Sequence, residues 1–137
     1  MARAQHAVGM FTVQMKPQGS AAEALQGATP LGRMSLTKVF SGDMAGTGEG
    51  EMLTAVTATA GSAGYVAVER FTGTVHGYRG SFVMQHSGTM TKRLGQQLSI
   101  TIVPDSGSDQ LKGIEGRFLL KIDNGQHLYT LEYTLPA

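Results

Sequence analysis

The chain contains no cysteine and no tryptophan among its 137 residues. Without thiols there are no disulfides, no thiol nucleophiles and no zinc–thiolate sites. Charge is also scarce: Asp, Glu, Lys and Arg make up 15% of the chain, against about 25% in a typical domain. The 11 basic and 10 acidic residues leave a net charge of +1. That balance lacks the basic footprint of a nucleic-acid binder and any acidic tail. No stretch approaches the roughly 20 apolar residues of a membrane span. Met1–Met10 lacks the continuous apolar run of a signal peptide. These absences point to a soluble, cytoplasmic protein with neither a nucleic-acid nor a membrane partner. A surface with few charges favours self-association, so a homo-oligomer is expected.

Period-two alternation dominates, and long helical periodicity is missing. With 19 glycines, the pattern is that of a compact all-β protein, expected to form a single domain over residues 1–137. A first strand is expected over Met10–Met15. Lys16–Pro30 is expected to be a connection, with one helical turn at Ala21–Leu25. The second strand fits Arg33–Ser41, with Met34, Leu36 and Lys38 on one side. A third spans Gly46–Thr59, where Gly46, Gly48 and Gly50 suggest bends or bulges. Further strands follow: one over Tyr65 to Val75, one from the Gly80 region to Thr91, one over Gln97–Val103, and a last pair over Leu111–Ile122 and Gln126–Leu135. About eight strands, each with one apolar face, must close into a barrel or stack as a sandwich.

Two hairpins fix faces. Asn124-Gly125 is the strongest short hairpin signal. It opposes Ile122 to His127, Leu120 to Tyr129, Phe118 to Leu131 and Gly116 to Tyr133, and sets Arg117 against Glu132 on the other face. The second hairpin turns at Gly77-Tyr78, or in a loop over His76–Arg79. Either turn opposes Phe71 to Met84, Gly73 to Phe82 and Glu69 to His86. In both hairpins an aromatic ring is expected to cover a glycine opposite it.

Several strings occur in order: Phe40-Ser-Gly-Asp-Met44, Glu69-Arg-Phe-Thr-Gly73, Gly80-Ser-Phe82, Gln85-His-Ser-Gly88, Pro104-x-Ser-Gly107, Leu111-x-Gly-Ile-x-Gly116 and Tyr129-x-Leu-x-Tyr133. Together they resemble a family of small bacterial proteins of unknown function, from about residue 8 to the end. The resemblance implies a closed antiparallel barrel of about eight strands, similar to allene oxide cyclase and the dirigent proteins. It implies no activity.

The chemistry worth weighing is an acid beside an imidazole on an apolar face. Glu69 and His86 are the candidate catalytic residues, because such a pair can hold and move a proton near neutral pH. Tyr65 and Tyr129 are possible phenol donors to the same lumen. The alternative is a mutually satisfied structural pair. A metal on Glu69, His86 and His127 lacks any HxH, HxxxH or HExxH spacing, so neither metal nor cofactor is expected. His6 reads as a frayed terminus and His76 as a solvated turn. Tyr65, Phe71, Phe82, Met84, Phe118 and Tyr129 are the candidate lining of a lumen that takes a small apolar molecule. Three functions therefore stand open: a small-molecule binding barrel, an isomerase or cyclase using Glu69 and His86, and a structural protein with a filled core. The other face of the second hairpin carries Val66, Val68 and Val83 and is a candidate subunit contact.

Overall fold

A computed structural model describes residues 3–137; Met1 and Ala2, part of the expected domain, lie outside the described residues. Eight antiparallel strands close into one barrel in sequence order. They are β1 (Gln5–Ser20), β2 (Leu31–Gly42), β3 (Met44–Val56), β4 (Ala63–Val75), β5 (Tyr78–Thr91), β6 (Gly95–Ile102), β7 (Glu115–Asp123) and β8 (Gln126–Thr134). One short 3-10 helix, Asp109–Leu111, precedes β7.

The terminal hairpin forms as its turn dictates. Asn124 and Gly125 take φ of 51° and 77°, the doubly positive geometry that matches strand twist. Every pair expected from it is present, including Gly116 with Tyr133 and Arg117 with Glu132. The earlier hairpin turns one step sooner than expected, at His76-Gly77, where φ is 48° and 83°. A turn at Gly77-Tyr78 would instead put the tyrosine at positive φ, where glycine and small polar residues are preferred. Phe71 therefore faces Phe82, Glu69 faces Met84, and His86 faces Ala67. Because side chains alternate with period two, this shift of two residues leaves every side chain on its expected face. The aromatic cover expected over Gly73 is absent. Gly73 lies between Gly46 and Gly80.

Other boundaries differ too. β1 is much longer than Met10–Met15 and carries Pro17 at a register irregularity near its end. No helical turn forms at Ala21–Leu25; the connection holds a simple turn closed by Ala28 N–H donating to the Leu25 carbonyl at 3.0 Å. Gly46, Gly48 and Gly50 introduce no bulge, since β3 pairs continuously on both sides. They are small because the wall is crowded there. A Cβ on Gly46 would lie 2.1 Å from the Thr72 carbonyl oxygen, and φ is 154°. Across from them lie the rings of Phe40 and Phe71, opposite Gly46 and Gly48.

The two ends of the barrel are unlike. One end is plugged. Leu111 and Ile114 are buried there with Val75, Leu131 and Tyr133. The loop between β6 and β7 runs beside β5 in place of a strand. Ser108 N–H donates to the Ser81 carbonyl at 2.9 Å, and the Ser106 and Ser108 hydroxyls accept from the Val83 and Ser81 amides at 3.0 and 2.9 Å. These serines satisfy backbone groups that would otherwise lie unpaired. The other end is open. Toward it β6 and β7 are unpaired; their single bridge, Thr101–Arg117, lies next to the loop that joins them.

Gly46→Ala should destabilise the fold by about 3 kcal/mol or more, because the new methyl meets backbone on a strained residue. Urea unfolding of the variant measures the loss.

Candidate functional site

Inward-facing residues form successive rings around the wall. Val13, Lys38, Gly48, Phe71 and Phe82 follow one another across β1–β5. One step toward the open end come Leu36, Gly50, Glu69 and Met84. Above these lie Met34, Met52, Ala67, His86 and Ile100. Lys38 reaches up and His86 reaches down to the carboxylate between them. Lys38 Nζ and His86 Nε2 each lie 2.9 Å from Glu69 Oε1. Glu69 is 0% exposed, His86 6% and Lys38 8%.

The expected contact between Glu69 and His86 therefore exists, but as a diagonal rather than a facing pair, which long side chains can span. Lys38 is the member that reasoning from hairpins missed. Its signal was a charged residue on the Met34–Leu36–Phe40 face of β2. Gly48 sits directly opposite Lys38. A Cβ there would be 2.3 Å from Glu69 Oε2, so the missing side chain is what admits the carboxylate. The Lys38 ammonium also lies 4.7 Å from the centre of the Phe11 ring, a cation–π contact.

Burial pushes the Glu69 carboxyl up. The hydrogen bond from His86 and the charge and hydrogen bond of Lys38 more than offset this, and it titrates below its usual value. The carboxylate is thus ionised beside a cation, with Oε2 buried and without a hydrogen-bond partner among the described residues.

The remaining candidates divide by depth. Phe71, Phe82, Met84, Phe118 and Tyr129 all lie in the packed core. Phe71 and Phe82 have ring centres 5.2 Å apart, and Phe118 stacks on Tyr129 at 5.5 Å. The Tyr129 hydroxyl accepts from the Met44 amide at 2.8 Å and donates to the Ser41 carbonyl at 2.9 Å. It holds the β2–β3 turn rather than joining Glu69. Tyr65 is half-buried at the open end. Its ring packs over Gly88, where a Cβ would meet it at 2.7 Å, and lies 6.4 Å from the His86 ring. Burial, then the Glu69 charge, raises the Tyr65 phenol above its ordinary value.

Around Tyr65, other inward residues face solvent. Met34, Met52 and Leu98 are half-buried and Met15 is 52% exposed. The interior is thus packed below Lys38 and open above His86. Two hollows of about 680 and 910 Å³ lie along the β2–β6 wall and share Leu53, Val66, Ser87 and Ser99; Tyr65, Gly88 and Leu98 also line the larger and His86 the smaller. Val68, on the same wall, is 58% exposed.

Two histidines read as solvated are engaged. His6 Nε2 lies 3.3 Å from Glu132 Oε2, and Glu132 also accepts from Arg117 at 2.6 Å. His76 bonds the Tyr133 hydroxyl through Nδ1 and lies 3.4 Å from Asp43 through Nε2, tying the plugged end together. His127 stacks near Phe11 at 5.1 Å, apart from the Glu69 cluster. No group of three or more His, Asp or Glu placed to hold a metal ion occurs among the described residues. Among the described residues no helix is long and apolar enough to cross a membrane.

Comparison with known proteins agrees with this architecture. The family model described as "Protein of unknown function (DUF3224)" matches residues 7–133. A crystal structure of a protein with unknown function from that family, from Shewanella oneidensis MR-1, is 41% identical. It superposes with a TM-score of 0.89 over 98% of this chain and 100% of its own. Among curated proteins, none matches.

Lys38→Met should cost about 3–5 kcal/mol, because it strips the cation from a buried carboxylate. Lys38→Met with Glu69→Gln should cost less than the sum of the two single changes, as a double-mutant cycle in urea would measure. A lowered carboxyl stabilises the fold fully above its unfolded value and loses that stabilisation as pH falls through the folded one. Stability should therefore hold from neutral pH down to the ordinary carboxylate value of 4.5 and fall below it. The double variant should lose Glu69's share of that slope.

Proposed function

The chain belongs to the DUF3224 family, a premise that names no chemistry, and we propose that it binds a small, predominantly apolar molecule in the open mouth of its barrel. One observation carries this: inward-facing Met15, Met34, Met52, Tyr65 and Leu98 remain partly open to solvent, level with a buried ionic cluster or above it. A few polar groups at the base of an apolar concavity make up the usual form of a small-molecule site. Methionines suit such a surface because they adapt to the shape they meet. The deeper aromatic residues serve as a rigid floor. Phe71 and Phe82 support the layer of Glu69 and Met84, and Phe118 and Tyr129 support Phe40 and Phe11.

A second reading is favoured by the carboxylate–imidazole–phenol series Glu69, His86 and Tyr65. A carboxylate that orients an imidazole is the arrangement of a general base, and a phenol kept protonated by burial is an acid. Proton transfer within a bound apolar substrate, as in an isomerase, would use these three groups.

The probe N-phenyl-1-naphthylamine should gain fluorescence with the wild-type protein. Met52→Trp, which fills the mouth, should weaken binding by about tenfold. Val68→Trp, on the outer wall, should leave it unchanged. The opposite pattern would move the site to the outer hollows and end the proposal.

A further inference from the structure

We infer that the molecule bound in the mouth carries a hydroxyl group, which donates its proton to Nδ1 of His86 and accepts one from Tyr65. This rests on the mouth being the binding site and specifies what it selects.

The argument begins with Glu69. An ionised carboxylate only accepts hydrogen bonds. His86 Nε2, 2.9 Å from Glu69 Oε1, must therefore carry a proton. Lys38 supplies the cation that matches the carboxylate charge from 2.9 Å. With a neutral imidazole the cluster is neutral overall, whereas an imidazolium would add an unmatched charge to a buried site. The proton on Nε2 leaves Nδ1 as a bare lone pair. Thus two residues deeper in the wall determine which nitrogen the histidine offers to a ligand.

Among the described residues nothing donates to that Nδ1, and nothing bonds the Tyr65 hydroxyl. A wholly apolar ligand covering His86 would bury the lone pair unsatisfied, which is unfavourable. An ammonium donates but has no lone pair with which to accept from Tyr65. A ligand carboxylate has no proton to give. An amide N–H donates but offers no oxygen on the same atom for Tyr65. A hydroxyl both donates and accepts, and Tyr65, kept protonated, has a proton to offer.

The test uses the full-length protein and two probes of nearly equal shape, 2-naphthol and 2-methylnaphthalene. Titration should show 2-naphthol binding several-fold to about tenfold more tightly, the value of one satisfied hydrogen bond. With 15N-histidine-labelled protein, His86 should show a protonated Nε2 and an unprotonated Nδ1. Only 2-naphthol should shift the Nδ1 resonance. His86→Gln assigns that resonance, and Tyr65→Phe should reduce the preference for 2-naphthol while binding of 2-methylnaphthalene persists. Equal binding of both probes would overturn the hydroxyl inference while leaving the mouth as a binding site. Failure of both to bind would remove the site and the inference together. A protonated Nδ1 in the free protein would overturn the inference by itself.

Discussion

One buried carboxylate organises this molecule. Glu69 has no solvent to ionise into, yet it remains charged because Lys38 and His86 converge on a single oxygen. Three strands contribute one group each, so the contact is meaningful only in the assembled wall. Removing two charges from water is costly, and a hydrophobic trio of similar volume would hold a barrel together at least as well. The cluster is therefore poorly explained as a device for stability alone. It separates the packed half of the interior from the half where Met34, Met52, Tyr65 and Leu98 are partly open to solvent.

The surrounding wall is built to allow this contact. Gly48 withdraws where the carboxylate must pass, and Gly46 and Gly73 let neighbouring backbones approach where any side chain would collide. On the packed side the Phe40 ring stands edge-on to Phe71 at 5.2 Å, and Phe11 lies under the Lys38 ammonium. The aromatic floor thus supports the lysine from below while Gly48 leaves its path open. Large and small residues alternate around the barrel so that a closed interior has room for one ionic cluster and little else.

How much of this can be read from the residues depends on the range of each signal. Asn124-Gly125 specifies its hairpin locally, and the whole pairing of β7 with β8 follows from it. The common face of Glu69 and His86 is legible as well, because side-chain parity survives the difference between a turn at His76-Gly77 and one at Gly77-Tyr78. The register itself turned on whether a histidine would take positive φ, which weak preferences decide. Lys38 lies 31 residues from Glu69 with β3 between their strands. Only the order in which the strands pair brings them together. The same holds for His76 and Tyr133, separated by 57 residues. The alternating glycines of β3 did announce an inward-facing anomaly, but their meaning was room for a carboxylate rather than a break in the strand.

The seam between β6 and β7 gives the barrel an asymmetry. Elsewhere adjacent strands are stitched along seven or more pairs, and here by one. Opening at this line breaks the fewest backbone bonds, so thermal breathing concentrates there. On one side of it the sheet carries His86 and Ile100, and on the other the self-contained β7–β8 hairpin. The β7–β8 hairpin is thus held in the wall chiefly by the seven pairs of β8 with β1 and by the Phe118, Tyr129, Leu131 and Tyr133 side chains it sends into the core.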